Sequence, residues 1–86
     1  MIEAMKERIR KFYVDYLDDM LEDAKLTDDP DEVTDRVINE EMPILERWLD
    51  DSLYIGIITE IEYMELKDYA DEVWSQVSDR FYKEVA

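Results

Sequence analysis

Apolar residues recur along the first part of the chain at steps of three and four: Ile2, Met5, Ile9, Phe12, Tyr13, Tyr16, Leu17, Met20, Leu21 and Ala24. That is the period of an α-helix with one buried face. It predicts a helix over about 2–25, roughly 35 Å long at 1.5 Å per residue. A second stripe, Val33, Val37, Ile38, Met42, Leu45, Trp48, Leu49 and Leu53, predicts a helix over about 30–54. A third, Tyr63, Leu66, Ala70, Val73, Trp74, Val77, Phe81 and Val85, predicts one over about 60–84. Three amphipathic helices joined by short turns make an all-α, antiparallel three-helix bundle the expected fold.

The breaks between the stripes carry their own chemistry. Asp29-Pro30-Asp31-Glu32 is a helix start: Asp29 caps, Pro30 suits the first helical position, and Glu32 is placed to close a capping box. Pro43 falls inside the second stripe. Lacking an N–H, it removes the bond to Asn39, so helix two is expected to kink or to split there. Gly56 ends the second helix by taking the left-handed conformation. Thr59 then caps the third helix, with Glu62 completing a second box and Ile58 and Tyr63 forming a staple.

Composition narrows the function classes. The 86 residues allow a single domain spanning 1–86, and 47% apolar content supplies a core that a disordered acidic chain lacks. Without Cys or His, disulfides, thiolate metal sites and the commonest general base are excluded. No apolar run reaches the roughly 18 residues of a membrane span. The opening MIEAMKERIRKF carries charges at helical spacing rather than a secretory leader, so a cytoplasmic protein of bacterial or phage origin is expected.

Charge is the most unusual feature. The formal net charge is −15, distributed as +2 over residues 1–11 and −17 over residues 12–86. Lys6, Arg8, Arg10 and Lys11 thus form a small basic tip on an acidic body. Nucleic acid and anionic membranes would both repel such a body. The carboxylates come at helical neighbour spacing: Asp15, Asp18, Asp19, Glu22 and Asp23 on the first helix, then Asp28, Asp29, Asp31, Glu32 and Asp35 around the turn. Surface helices usually alternate signs and gain from pairs four apart, whereas like charges at that spacing cost a few tenths of a kcal/mol each. Solubility is one reason to tolerate that repulsion; a cationic groove that neutralises it is the other.

Catalysis and metal binding find little support in the same residues. Asp15 with Asp19, or Asp68 with Glu72, sits on one helix face, but acid–base work needs a pocket that separates two environments. Counting Asp51 as position one of a calcium loop puts Gly56 at six and Glu62 at twelve. Positions three and five are then Leu53 and Ile55, which carry no side-chain oxygen for a hard cation. No enzyme activity, cofactor or metal is expected. Trp48, Trp74, Phe12 and Phe81 read as core, while Tyr54, Tyr69 and Tyr82 lie at the margins of the stripes, where rings anchor interfaces.

Two resemblances add to this reading. Leu53-Tyr54-Ile55-Gly56-Ile57-Ile58-Thr59-Glu60, followed by Glu62-Tyr63, resembles the G-x-I-T-x-x-E-[FY] hairpin of bacterial SHOCT-type short helical domains and many phage proteins. The likeness implies a helical corner and self-association, but no activity. In size and charge the chain also resembles small acidic phage-type DNA mimics, the anti-restriction and anti-CRISPR proteins. Asp15-x-x-Asp18-Asp19-x-x-Glu22-Asp23 and Asp28-Asp29-x-Asp31-Glu32 carry that likeness; the basic tip departs from it. It implies an inhibitor that binds the basic groove of a nucleic-acid-binding protein through those acidic residues and Asp35. The alternative is a helical interaction module, a homodimer included, built on Tyr and Leu side chains.

Overall fold

A computed structural model describes residues 1–85. It contains α1 (Ile2–Leu26), α2 (Pro30–Arg36), α3 (Met42–Tyr54) and α4 (Glu60–Val85), with a π-helical turn at Val37–Glu41 joining α2 to α3. Because that turn keeps the chain helical, α2 and α3 form one passage, and the molecule is an antiparallel three-helix bundle. It is rod-shaped, with principal extents of 44 × 19 × 15 Å. No helix among the described residues is long and apolar enough to cross a membrane.

The long pairing is between α1 and α4. Lys6 Nζ meets Glu65 Oε1 at 2.8 Å, the Tyr13 and Trp74 ring centroids lie 5.6 Å apart, and Leu21 and Ala24 share a groove with Glu84 and Val85. These pairs fix the direction: the start of α1 lies beside the start of α4, and its end beside the end. The core follows the predicted stripes, with Ile9, Tyr13, Met20, Val33, Leu49, Leu66 and Phe81 fully buried. The buried hydroxyls are satisfied locally, Ser52 by the Trp48 carbonyl at 2.8 Å and Thr34 by the Asp31 carbonyl at 3.0 Å. Burial without such partners would cost about 1–3 kcal/mol each.

The interruption expected at Pro43 takes a specific form. Met42 N–H donates to the Val37 carbonyl, five residues back, while Arg36, Glu41 and Met42 all keep right-handed helical dihedrals. A wider turn places the extra residue where proline's missing donor and its ring would otherwise break the ladder. It also shifts the phase of the stripe. Ile38, expected on the inner face, is 42% exposed, because a constant 3.6-residue period does not hold across a π turn.

The two helix starts differ from one another. At α4 the box is reciprocal: Thr59 N–H donates to Glu62 Oε1 at 3.0 Å and Glu62 N–H to Thr59 Oγ1 at 3.2 Å. At α2, Asp29 caps as expected, accepting from Asp31 N–H at 3.1 Å. Glu32 does not close the box. Thr27 Oγ1 takes the Asp29 N–H at 3.3 Å, and Glu32 accepts from the Thr27 hydroxyl instead, at 3.4 Å. The extended backbone of Thr27 (φ −132, ψ 150) delivers its hydroxyl to that donor from the preceding side.

Candidate functional site

Nine of the ten carboxylates singled out in the sequence lie toward the end of the rod where α1 finishes and α2 begins, while Asp15 sits near the middle of α1. Nine are exposed and Asp23 is half-buried. They do not form a single face. On α1, Asp19 and Glu22 make a ridge that borders two shallow grooves, one shared with Asp18 and Glu84, the other with Asp23, Arg36 and Glu41. On α2, Asp31 faces the far flank, where the Tyr82 hydroxyl of α4 donates to it at 2.6 Å. Asp28, Asp29 and Glu32 lie in or beside the turn between these flanks. The acidic surface therefore wraps around the end of the bundle.

Compensation by cations is sparse there. Arg36 Nη1 reaches Asp23 at 3.3 Å and Lys25 Nζ reaches Glu22 at 3.3 Å, both on exposed side chains. The sequence showed no base within the acidic run of α1, and Arg36 arrives from α2 only through folding. Among the described residues, Asp15, Asp18, Asp19, Asp28 and Asp35 have no side-chain hydrogen bond or ion pair.

Several of the others are held by uncharged donors. Tyr16 donates to Glu41, Tyr82 to Asp31 and Thr27 to Glu32. A hydroxyl orients a carboxylate while leaving its charge intact, which a lysine or arginine does not. The effect is visible on the phenols. The hydrogen bond to Glu41, aided by burial and by the charges of Glu41 and Asp19, pushes the Tyr16 pKa up to about 12. Tyr82 is raised as well, chiefly by its bond to Asp31, against a lowering contribution from Thr34.

Sequence reasoning missed Glu41 and Glu84 as members of this surface. The signal was present only in the register: in an up-down-up bundle α4 runs parallel to α1 and so brings its last turn beside the last turns of α1. The marginal tyrosines are resolved differently from one another. Tyr82 is tied to α2, Tyr69 is half-buried beneath Lys6 (5.5 Å to the ring centroid), and Tyr54 is 90% exposed.

At the opposite end three of the four N-terminal cations are engaged. Lys6 pairs with Glu65, Arg10 pairs with Glu7 at 3.0 Å, and the Arg8 guanidinium lies 4.9 Å from the Trp48 ring. Here Asp68 and Glu72, the second carboxylate pair, line an open groove beside Lys6, Glu65 and Tyr69. In the loop tested for calcium, Glu62 spends its carboxylate on the Thr59 N–H.

No family model matches this chain. Neither does any curated protein or solved structure. The functional reading therefore rests on charge and geometry.

Proposed function

We propose that this protein is a non-catalytic inhibitor whose acidic end replaces nucleic-acid phosphates in the basic groove of a nucleic-acid-binding protein. The observation that carries the reading is the density of charge that the fold leaves standing. A net charge of −15 along a 44 Å rod is about one charge per 3 Å. Duplex DNA carries about one per 1.7 Å and each of its strands one per 3.4 Å. The rod thus presents a lysine- and arginine-lined groove with a polyanion of nucleic-acid strength.

Three features support it further. Neighbouring carboxylates on α1 stand about 5–6 Å apart, at i, i+3 and i+4 spacing. The charge wraps around the end, as phosphates surround a duplex. Hydroxyl donors fix three carboxylates without neutralising them. In this reading the protein acts in the cytoplasm of the cell whose machinery it blocks, in the manner of anti-restriction or anti-CRISPR mimics, and touches no nucleic acid itself.

The test is a displacement experiment. The protein is immobilised, exposed to nuclease-treated host lysate at low salt, and then challenged with short duplex DNA. The retained proteins should be nucleic-acid binders that duplex DNA releases. An interface replacing 6–10 phosphates should weaken by roughly 10³–10⁵ between 50 and 200 mM salt. The variant Asp15→Lys, Asp18→Lys, Asp19→Lys, Asp28→Lys should retain none of them. Retention indifferent to duplex DNA, salt and charge reversal overturns the reading.

A further inference from the structure

We propose that α2 is a hinged strap over the acidic end, loaded by its own charge and latched by Tyr82, that opens separately from the rest of the bundle and closes as the charge is screened. Both of its junctions are weak points of the backbone. Before it, Thr27 is extended, and its hydroxyl holds the turn through bonds of 3.3 Å from Asp29 N–H and 3.4 Å to Glu32. After it comes the π turn at Val37–Glu41, where Pro43 supplies no donor to the helical ladder. Such interruptions are where helices bend. Between these junctions α2 has seven residues, well below the roughly 12–15 at which a helix begins to stand alone. Its apolar hold is small. Val33 and, at the start of the π turn, Val37 are the buried apolar side chains, whereas α4 buries Leu66, Ala70, Val73, Val77 and Phe81.

Charge presses the strap outward. Residues 28–41 hold seven carboxylates and one cation, Arg36, a net charge of −6, and residues 15–25 of α1, against which α2 packs, carry −4. The last turns of α4, with Asp79, Arg80, Lys83 and Glu84, are neutral overall, so the load comes from α1. One ion pair opposes it, Arg36 to Asp23 at 3.3 Å, on exposed side chains. The latch on the other flank is a phenol. The Tyr82 hydroxyl reaches the Asp31 carboxylate at 2.6 Å and the Thr34 hydroxyl at 3.0 Å, so one side chain of α4 holds two positions of α2. Tyr16 holds the hinge in the same way through Glu41. Screening weakens the repulsion between α2 and α1 while valine burial persists. Opening uncovers Met20, which shares a groove with Val33 and Val37. This inference does not depend on what the acidic end binds.

Native-state hydrogen exchange, resolved by residue with NMR and corrected for intrinsic rates, tests it. The reporters are the amides of Thr34, Arg36 and Val37 against those of Ala70, Val73 and Val77 in α4. The strap amides should exchange faster than the α4 amides by on the order of tenfold or more. Low urea should speed the α4 amides and hardly touch the strap, because opening the strap exposes little surface. Raising NaCl from about 0.01 M to about 1 M shortens the screening length from about 30 Å to about 3 Å and should slow strap exchange several-fold. Asp19→Asn removes a charge of α1 from the groove beside the strap and leaves the strap's own sequence unchanged. It should slow strap exchange at low salt and do much less at high salt. Tyr82→Phe keeps the ring, removes the latching hydroxyl, and should speed strap exchange several-fold at both.

Each contrary result overturns the proposal. Strap amides that exchange no faster than those of α4, or that speed up with urea as α4 does, mean that the bundle opens only as a whole. Exchange indifferent to salt and to Asp19→Asn removes the charge loading. Exchange that quickens at high salt gives control to the Arg36–Asp23 pair instead. Exchange unchanged by Tyr82→Phe removes the latch.

Discussion

The two ends of this rod solve the same problem, how to finish a small helical bundle, by opposite means. At the corner, local chemistry is complete: a glycine-terminated helix, a reciprocal capping box, and a 2.8 Å ion pair from Lys6 to Glu65. Charge there is less one-sided, at −5 over residues 1–11 and 44–72 against −10 over the rest, and the surface defect is apolar. At the acidic end the helices are also capped, but carboxylates outnumber their cations and are steadied by hydroxyls. The defect there is electrostatic, and only the core beneath opposes it. A domain this short has little stability to spare, so an uncompensated surface at either end is a cost that the core must carry.

The largest expected effect tests how far the core carries the acidic end. Phe81 is fully buried under that end and Leu66 is fully buried near the corner. Phe81→Ala should cost about 3–5 kcal/mol and Leu66→Ala about 2–5, each a large part of a stability of about 5–15. The two should separate in their response to salt. Loosening the packing beneath crowded carboxylates leaves the repulsion unopposed, so added NaCl should recover part of the Phe81→Ala loss. Thermal melts at low and high salt measure this, and equal salt responses for the two variants contradict the asymmetry.

A second contrast comes from pH. Burial, with the charges of Asp71 and Glu46 adding to it, holds the Tyr13 pKa at about 12, and the bond to Glu41 does most of the same for Tyr16. The unfolded chain releases these protons near pH 10, while the folded protein keeps them. Between those values the native state binds more protons, so its stability is intact below pH 10 and falls as the pH rises toward 12. The melting temperature should decline across that window, with phenolate absorbance appearing as the protein unfolds. Tyr16→Phe should flatten the decline. Tyr63→Phe should do less, because the rise at Tyr63 from its hydrogen bond to Asp50 is opposed by the neighbouring Lys67. A melting temperature constant from pH 9 to 12 would remove both tyrosines from this account.

Gly56 provides a smaller effect confined to the corner. No atom lies within 4 Å of where a Cβ would stand, so Gly56→Ala should meet only the backbone penalty of φ +83, about 1–2 kcal/mol. The loss should be the same at every salt concentration. Chemical denaturation is the appropriate measurement, and a destabilisation well above that range points to a steric contact.

Much of this molecule could be read along the chain because its determinants are local. The stripes Met5–Ile9–Tyr13–Leu17–Met20 and Leu66–Ala70–Val73–Val77–Phe81 are buried as their spacing dictates. The glycine end and the Thr59–Glu62 box need only residues a few positions apart. What could not be read depends on register or phase. The π turn shifts Ile38 outward because one extra residue is absorbed before Pro43. Glu84 and Glu41 join the acidic end because helices distant in sequence lie side by side, and Tyr82 finds Asp31 for the same reason. The acidic end itself was legible as a composition; its wrapping around two flanks, and its few arginine and lysine partners, were not.

The smallest effect on stability is the most informative about why the ends differ. Among the described residues, Asp15, Asp18 and Asp19 have no side-chain partner; Asp15 stands at i+3 and i+4 to Asp18 and Asp19, and these in turn stand at that spacing to Glu22 and Asp23. Each such like-charge pair costs about 0.2–0.5 kcal/mol. Replacing all three with Asn should therefore stabilise the protein, by on the order of 1 kcal/mol at low salt. That is a rise of roughly 4–8 °C in melting temperature for a domain of this size. The gain should shrink as salt shortens the screening length from about 10 Å at 0.1 M to about 3 Å at 1 M. If the acidity serves a cationic partner, the stabilised variant must also be the poorer binder, since the same charges are the liability and the contact. A variant that is more stable and binds as well as before would show that these carboxylates face solvent alone.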